Sequence, residues 1–357
     1  MWMKKTMLIL AVLTLLVNCK EKNQQINETG GDGSGMVVNE SGNTVPESEN
    51  DSLNLSASGA FENSALVKNE DESYSFHYNL KKGETYPLNM KISQNQSMKA
   101  NGQDVNISSG RTVNFDYLVE EVKGNNYKLK ATFKEFSENS QGPDGVRLSY
   151  NTSLAKPDDK DVAQSWTIYK SITGQSFGME IDNKGRVISV NGLEKVIGNS
   201  LSKLKNEFTA EEQNVIKQML NAYLSTDAIK TQFEESLNIF PDKNLKIGEK
   251  WEDSQNISEG PVKGTNKVTR TFQQLENGVA KIKVSGQQDV SGNETQNGVT
   301  ATMKNHSTID GYIDLDTESG WVRKMNITKK ETASTTFQQG EQKETESGSS
   351  IIVTTIN

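Results

Sequence analysis

Alternation of apolar and polar side chains is the feature that most restricts how this chain folds. Apolar residues occupy every second position, or nearly so, in residues 74–80, 113–119 and 127–133. Successive side chains of a β-strand point to opposite faces, so a period of two predicts strands with one apolar and one polar face. We therefore predict a large curved antiparallel sheet of meander or half-barrel type that buries only one face.

The composition agrees with a sheet that is wet on one side. Hydrophobic residues make up 33% of the 357 residues, because half of every predicted strand faces water. The chain has 39 Lys and Arg against 47 Asp and Glu, a net charge of −8. Binding to phosphate backbones depends on lysine and arginine, so this balance argues against nucleic acid as a partner.

A central segment changes the period from two to 3.6. Residues 193–204 place their apolar side chains on one helical face, and Thr209 with Glu212 forms the signature of a capping box for a second helix. A third helix is predicted to end before Pro241. The fold class is therefore α+β, with about three helices packed on the sheet, and residues 168–190 just before them are predicted to form a hairpin.

Two pairs of segments suggest an internal repeat. Residues 81–86 and 246–251 both read Lys-x-Gly-Glu-x-aromatic, and residues 178–182 and 311–316 both precede a turn glycine. We predict a globular domain over residues 71–357, with halves at roughly 71–191 and 242–357 and a helical bridge at 192–241. Chance convergence of hairpin turns is the alternative.

The two aromatic residues of this motif, Tyr86 and Trp251, test the relationship between the halves. If the halves are related, both rings should be buried at equivalent places, behind turns that use Gly83 and Gly248. The alternative is that the two rings are exposed and form a glycan-stacking site.

The N-terminus has the organisation of an export signal. Lys4 and Lys5 precede a nearly continuous apolar stretch over residues 7–17, which is too short to span a bilayer. Residues 16–19, Leu-Val-Asn-Cys, resemble the lipobox of bacterial lipoproteins, although Asn18 stands where a small residue is usual. The resemblance implies a signal peptide over residues 1–18 and acylation of Cys19, with palmitate-type chains that attach the protein to the lipid bilayer. An ordinary signal with an incidental cysteine is the alternative.

Residues 19–70 are predicted to be the lipidated cysteine and a disordered tether. They are rich in Gly, Ser, Asn and Glu and show no period, so they cannot bury enough apolar surface to offset their ordering entropy. A chain that starts near Asp71 is then expected to melt like the longer one. Ser52, in Asp-Ser-Leu, resembles an O-glycosylation acceptor of Bacteroidota; a plain serine-rich linker is the alternative.

Three segments of the globular part carry a family likeness. Residues 74–86, 176–194 and 239–253 resemble a Bacteroidota-type family of bacterial lipoproteins that carry a domain of unknown function. These are turn and packing motifs. The resemblance implies envelope localisation but no assigned chemistry.

Catalytic and metal sites are not predicted. The two histidines, His77 and His306, fall on polar strand positions and are expected to be solvated, and Cys19 is committed to lipid. Asp314, Asp316 and Glu318 are spaced like the start of a calcium loop, but their glycine comes one place late, and turn chemistry explains them equally well. We predict no catalytic, cofactor-binding or metal-binding residue and no cofactor, and hence a non-enzymatic protein.

Two functional hypotheses follow. In the first, the sheet and helices enclose an apolar cavity, and the protein is a binding or carrier lipoprotein for an apolar or envelope ligand. In the second, the interior is filled, and a structural or cell-surface lipoprotein binds protein or glycan. Lys20 lacks the acidic character that marks inner-membrane retention in enterobacteria, which favours the outer membrane; the side that the body faces stays open.

Overall fold

A computed structural model of the protein describes residues 64–100, 103–142, 145–296 and 298–357. Backbone contacts divide the chain into Met1–Ala60 and Phe61–Asn357, and all described residues belong to the second unit. The predicted signal peptide, Cys19, Ser52 and the tether up to residue 63 lie outside the described residues.

The described residues form fourteen strands and four helices. The strands are β1 (Leu66–Lys68), β2 (Tyr74–Phe76), β3 (Thr85–Ala100), β4 (Gln103–Lys123), β5 (Asn126–Gln141), β6 (Arg147–Asn151), β7 (Ser176–Asp182), β8 (Val187–Asn191), β9 (Lys250–Glu259), β10 (Val262–Glu276), β11 (Val279–Gln296), β12 (Val299–Asp316), β13 (Val322–Gln339) and β14 (Gln342–Ile356). The helices are α1 (Lys160–Ile172), α2 (Leu193–Leu204), α3 (Ala210–Tyr223) and α4 (Thr226–Leu237).

Twelve of these strands form one antiparallel sheet in the order β8-β7-β5-β4-β3-β14-β13-β12-β11-β10-β9, with β6 added beside β5. The sheet is curved and does not close, which confirms the predicted α+β class. Strands β1 and β2 form a separate ribbon. The two halves of the sheet meet where β3 pairs with β14, with Met90 opposite Ile356.

The two faces of the sheet differ as the alternation predicts. We call the face that carries Met90, Ile282, Ile313 and Met325 the inner face, and the opposite one the outer face. These four side chains are buried, and the inner face continues into Tyr117, which contacts Phe233 of α4 at 5.6 Å between ring centroids. The helices therefore cover the apolar face, as amphipathic helices on a half-buried sheet should.

Glycines permit close strand approach on the inner face. A Cβ atom on Gly286 would lie 2.7 Å from the carbonyl oxygen of Lys267 on the neighbouring strand, and one on Gly311 would collide with the carbonyl of Asn326. Both glycines occupy inner-face positions of long strands. Because these residues have no side chains, the backbones of neighbouring strands can approach each other closely, which is a recognised use of glycine in sheets.

Helix α1 corrects one prediction. Residues 168–172 were expected to begin a hairpin, but they form the last turns of a helix that starts at Lys160. The carboxylate of Asp159 caps it by accepting the backbone N–H groups of Asp161 and Val162 at 3.0 Å. The hairpin itself is present as β7 and β8, in residues 176–191.

The other three helices agree with their sequence signals. The capping box at α3 is present, with the Glu212 carboxylate accepting the Thr209 N–H at 2.8 Å. Helix α4 begins after Ser225, whose hydroxyl caps it, and ends at Leu237, before Pro241.

The aromatic motif has the same hydrogen bonds in both halves. Gly83 and Gly248 have φ angles of 85° and 94°, the left-handed region that glycine tolerates. The N–H of Gly83 donates to Val119 of β4 at 2.8 Å, and that of Gly248 donates to Phe272 of β10 at 2.6 Å. A β-bulge follows directly after each acceptor residue. Shared turns, partners and bulges support two related halves.

A short connecting segment, residues 76–80, ties the halves together; we call it the strap. The backbone N–H of Tyr78 donates to Asn183 at the β7–β8 turn (2.7 Å), and that of Asn79 donates to Ser319 at the β12–β13 turn (2.9 Å). The Tyr78 hydroxyl donates to the Leu237 carbonyl at the end of α4 (2.7 Å). One segment therefore contacts both repeat turns and the helical bridge.

The ordered body begins earlier than residue 71, within the segment predicted to be tether. Ala65 and Leu66 are 0% and 3% exposed. The N–H of Ala65 donates to Thr317 (3.0 Å), and β1 pairs with β2. The period-two rule failed here because β1 has only three residues, too few to show a period.

Removing β1 should therefore destabilise the body. A chain starting at Asp71 loses the buried Leu66 side chain, worth about 1.5–3 kcal/mol, and should melt several degrees below a chain starting at Phe61. Differential scanning calorimetry of the two chains measures this. Equal melting temperatures would mean that β1 contributes nothing to stability.

The two motif aromatics should be structural. Tyr86 is 8% exposed, so Tyr86→Ala should cost about 3–5 kcal/mol. Trp251 is only partly buried, which corrects the expectation that both rings are buried; it packs against Phe76 at 6.5 Å, so Trp251→Ala should cost less than Tyr86→Ala. Val215→Ala, at a side chain 49% exposed, is the control and should keep the wild-type melting temperature. If both aromatic variants melt like wild type, the result favours the alternative that the two rings are exposed and stack on a glycan.

Candidate functional site

The two histidines differ in environment. His306 is exposed, as predicted, and its Nδ1 lies 2.7 Å from Oδ1 of Asp289. His77 is half-buried in the strap, which corrects the expectation that it is solvated. Burial, and the nearby Lys184 ammonium, lower the pKa of His77. In the described part of the chain, neither imidazole ring is hydrogen-bonded to a hydroxyl nucleophile.

The carboxylates spaced like a calcium loop hold a turn. Oδ1 of Asp316 accepts the backbone N–H groups of Glu318 (3.0 Å) and Ser319 (2.7 Å), and Oδ2 pairs with Arg323. Burial opposes ionisation of Asp316, but the Ser319 hydrogen bonds and the Arg323 guanidinium outweigh it, so its pKa is lowered. Among the described residues, no cluster of three or more His, Cys, Asp or Glu side chains is placed to hold a metal ion.

A buried ion pair lies at the β6 end of the inner face. Nη2 of Arg111 is 3.5 Å from Oε2 of Glu138, which also accepts the Tyr150 hydroxyl at 3.3 Å. Tyr169 stacks on Tyr150 at 5.7 Å, and burial raises the pKa of Tyr169 to about 12. No sequence pattern predicts this cluster, because its members come from β4, β5, β6 and α1. Its groups satisfy one another and close the end of the core.

A small cavity lies where α4 packs on the sheet. The cavity found there has about 10 Å³, enough for roughly one water molecule. It is lined by Leu88, Phe115, Tyr117, Phe177, Ile229, Gln232 and Phe233. An acyl chain has no room at this place, which bears on the first functional hypothesis.

A large open trough lies at the other end of the long strands. Its volume is about 990 Å³, and seven neighbouring strands, from β4 through β3 and β14 to β10, contribute residues to it. Met98 of the trough follows the core residue Met90 by eight positions on β3, roughly 27 Å along the strand. Six inter-strand steps give the trough a width of roughly 29 Å.

The lining of the trough is rich in hydroxyl groups. Serine and lysine are its commonest residues, and it contains no Phe, Tyr or Trp side chain. The Asp289–His306 pair lies in it, and hydrogen bonds from His306 and Gln287 lower the pKa of Asp289. Sequence reasoning missed this surface because its residues become neighbours only through strand register.

No helix among the described residues combines the length and the apolar character that crossing a membrane requires.

Comparison with solved structures yields distant likenesses. A structure titled for lipid–protein interactions in lipovitellin is 10% identical, covers 78% of this chain and 25% of that chain, and has a TM-score of 0.31. A mutant Rh. blastica porin is 8% identical over 77% of this chain and 100% of its own, with a TM-score of 0.18. An outer membrane channel from Pseudomonas putida F1 is 8% identical over 78% and 97%, with a TM-score of 0.14. The chain spans about a quarter of the lipovitellin chain, and none of these scores supports a functional argument.

Comparison by sequence is more informative. No curated protein matches the chain. The profile of a family of unknown function, DUF6263, matches residues 124–322, which run from the β4–β5 turn through the helices to the start of β13. The matched segment includes the hairpin of residues 176–191 and the second aromatic motif, and it covers more than half of the sequence. The chain therefore belongs to the DUF6263 family.

Proposed function

We propose that this protein is a lipid-anchored, non-catalytic lipoprotein of the bacterial envelope that binds a polar envelope ligand in the trough. The observation that carries the proposal is the contrast between the two spaces of the fold. The gap under the helices holds about 10 Å³, whereas the trough offers about 990 Å³. A ligand of ordinary size, which needs a concave site of several hundred Å³, fits only the second of these two.

The chemistry of the trough favours a polar ligand over the apolar one considered first. Hydroxyl and ammonium groups need hydrogen-bonding partners, and covering them with an acyl chain would leave them unsatisfied at a cost. A ligand with many hydroxyl or charged groups satisfies them.

The filled interior also favours the second hypothesis, an interaction protein of the cell surface. In that reading a partner protein contacts the sheet, and the trough is part of a larger interface. The two proposals differ in whether a small or polymeric ligand binds without a partner protein.

Attachment through Cys19 is part of the proposal. The lipobox-like residues 16–19 support it. Two or three acyl chains make attachment durable, since each buried CH₂ contributes about 0.8 kcal/mol. We propose the outer membrane as the destination.

The anchor is tested by Cys19→Ser. The variant should move from the membrane pellet to the soluble envelope fraction, because the acyl chains are proposed as the only attachment of the protein to the membrane. Fractionation and immunoblotting measure the shift, with Ser52→Ala as a control that stays membrane-bound. A Cys19→Ser protein that remains in the pellet contradicts the anchor.

The trough is tested by filling it. Ser349 lies in the trough and Ser285 lies outside it, and both are exposed strand serines. Native mass spectrometry of protein purified without denaturation should find a co-purifying polar compound on wild type and on Ser285→Trp, and none on Ser349→Trp. Retention of the compound by Ser349→Trp, or its absence from wild type, favours the protein–protein alternative.

A further inference from the structure

Lysines are concentrated on the outer face of the sheet. Strand register assigns outer-face positions to lysines on every strand from β9 to β14 and on β3. They are Lys91, Lys99, Lys250, Lys263, Lys267, Lys281, Lys283, Lys304, Lys324, Lys330 and Lys343. The inner face of the same region has the opposite balance: Glu331 pairs with Lys329, Asp253 pairs with Arg270, and Glu344 and Glu346 add negative charge. The outer face of this region is therefore basic, although the net charge of the whole chain is −8.

Most of these lysines have no carboxylate partner. Lys267 lies 3.0 Å from Glu252, Lys281 lies 4.0 Å from Asp314, and the outer-face Asp289 is paired with His306. For the other nine lysines, no carboxylate in the described part of the chain comes within ion-pair distance. Their charges are free to attract an anion, and Asp104, Glu276 and Asp310 are among the acidic side chains that oppose them on this face.

Three of the unpaired lysines border the trough in a regular arrangement. Lys263 is opposite Ser291, Ser291 is opposite Lys304, and Lys304 is opposite Ser334. Lys263 and Lys304 are therefore two strands apart, about 10 Å, with a hydroxyl between them. Lys99 closes the other side of the trough, opposite Asp104 on β4.

This alternation of ammonium and hydroxyl groups matches one ligand chemistry. An acidic polysaccharide has negative groups at intervals along a chain that is otherwise covered with hydroxyls. A trough roughly 29 Å wide admits several sugar units, whereas a flat bilayer surface would leave its volume empty. The lining has no Phe, Tyr or Trp ring on which a sugar could stack, so charge and hydrogen bonds are the main contacts.

We infer that the trough binds an acidic polysaccharide, with Lys263 and Lys304 contacting its anionic groups. The inference rests on the proposed function and adds the class of ligand. Exposed ion contacts are screened by salt, so the affinity should fall as ionic strength rises.

The probes are dextran sulfate and polygalacturonate, with neutral dextran as the matched uncharged polymer. Isothermal titration calorimetry at low salt should show binding of at least one acidic polymer and none of dextran. The variant Lys263→Gln/Lys304→Gln should bind about five- to tenfold more weakly, as expected for two exposed ionic contacts. The control Lys283→Gln/Lys330→Gln removes the same charge outside the trough and should bind within about twofold of wild type.

Other results would overturn the inference. Equal losses in both double variants would assign binding to the whole lysine face, and equal binding of neutral dextran would remove the role of charge. Binding of poly-glutamate or single-stranded DNA as tight as that of the acidic glycans would indicate a general polyanion surface. If no acidic polymer binds, the ligand class is wrong, while the Ser349→Trp experiment still decides whether the trough holds a ligand at all. Melting temperatures of wild type and the two double variants confirm that each is folded.

Discussion

The hydrogen bonds of one buried tyrosine hold the architecture together. Tyr78 is fully buried, and burial raises the pKa of its hydroxyl, so the group stays protonated and donates to the end of α4. Its backbone reaches the β7–β8 turn, and its carbonyl accepts the hydroxyl of Tyr127 at 2.7 Å. Beyond Phe76, the last residue of β2, the strap belongs to no strand and must satisfy its polar groups elsewhere, because an unpaired buried group costs about 1–3 kcal/mol. These hydrogen bonds position the repeat turns, the helices and the first strands of the body.

The elements that could be predicted from sequence are those governed by local rules. The alternation in residues 127–133 corresponds to β5, and the Thr209–Glu212 pair starts α3. The elements that could not be predicted from sequence depend on partners that are distant in the chain. Strand β1 is held by Thr317 across the fold, and α1 has only a modest apolar stripe, of which Val162 and Ile172 are the buried apolar residues. The trough could not be predicted for the same reason, because Lys263 and Lys304 are neighbours only through the register in which β10, β11 and β12 pair.

The two ends of the long strands have different roles in this fold. At one end, aromatic rings, helices and the strap fill the inner face and provide stability. At the other end the same strands continue with small polar side chains, and the inner-face glycines Gly286 and Gly311 let them approach closely. The stable end therefore acts as a scaffold for a polar surface that needs no core of its own. This division of the long strands into a packed end and a polar end is consistent with a family whose members share turn and packing motifs.

The pairing of β3 with β14 has a consequence for how the body assembles. Met90 and Ile356 are opposite each other, whereas nearly every other sheet pairing joins strands that are close in sequence. Hairpins of the first half can form early, but β3 keeps a bare edge until a strand more than two hundred residues later arrives, and such closures are slow. An unpaired edge is a template for aggregation. A chain of this design that folds as it emerges from its N-terminus would pass through an intermediate in which the edge of β3 is covered last.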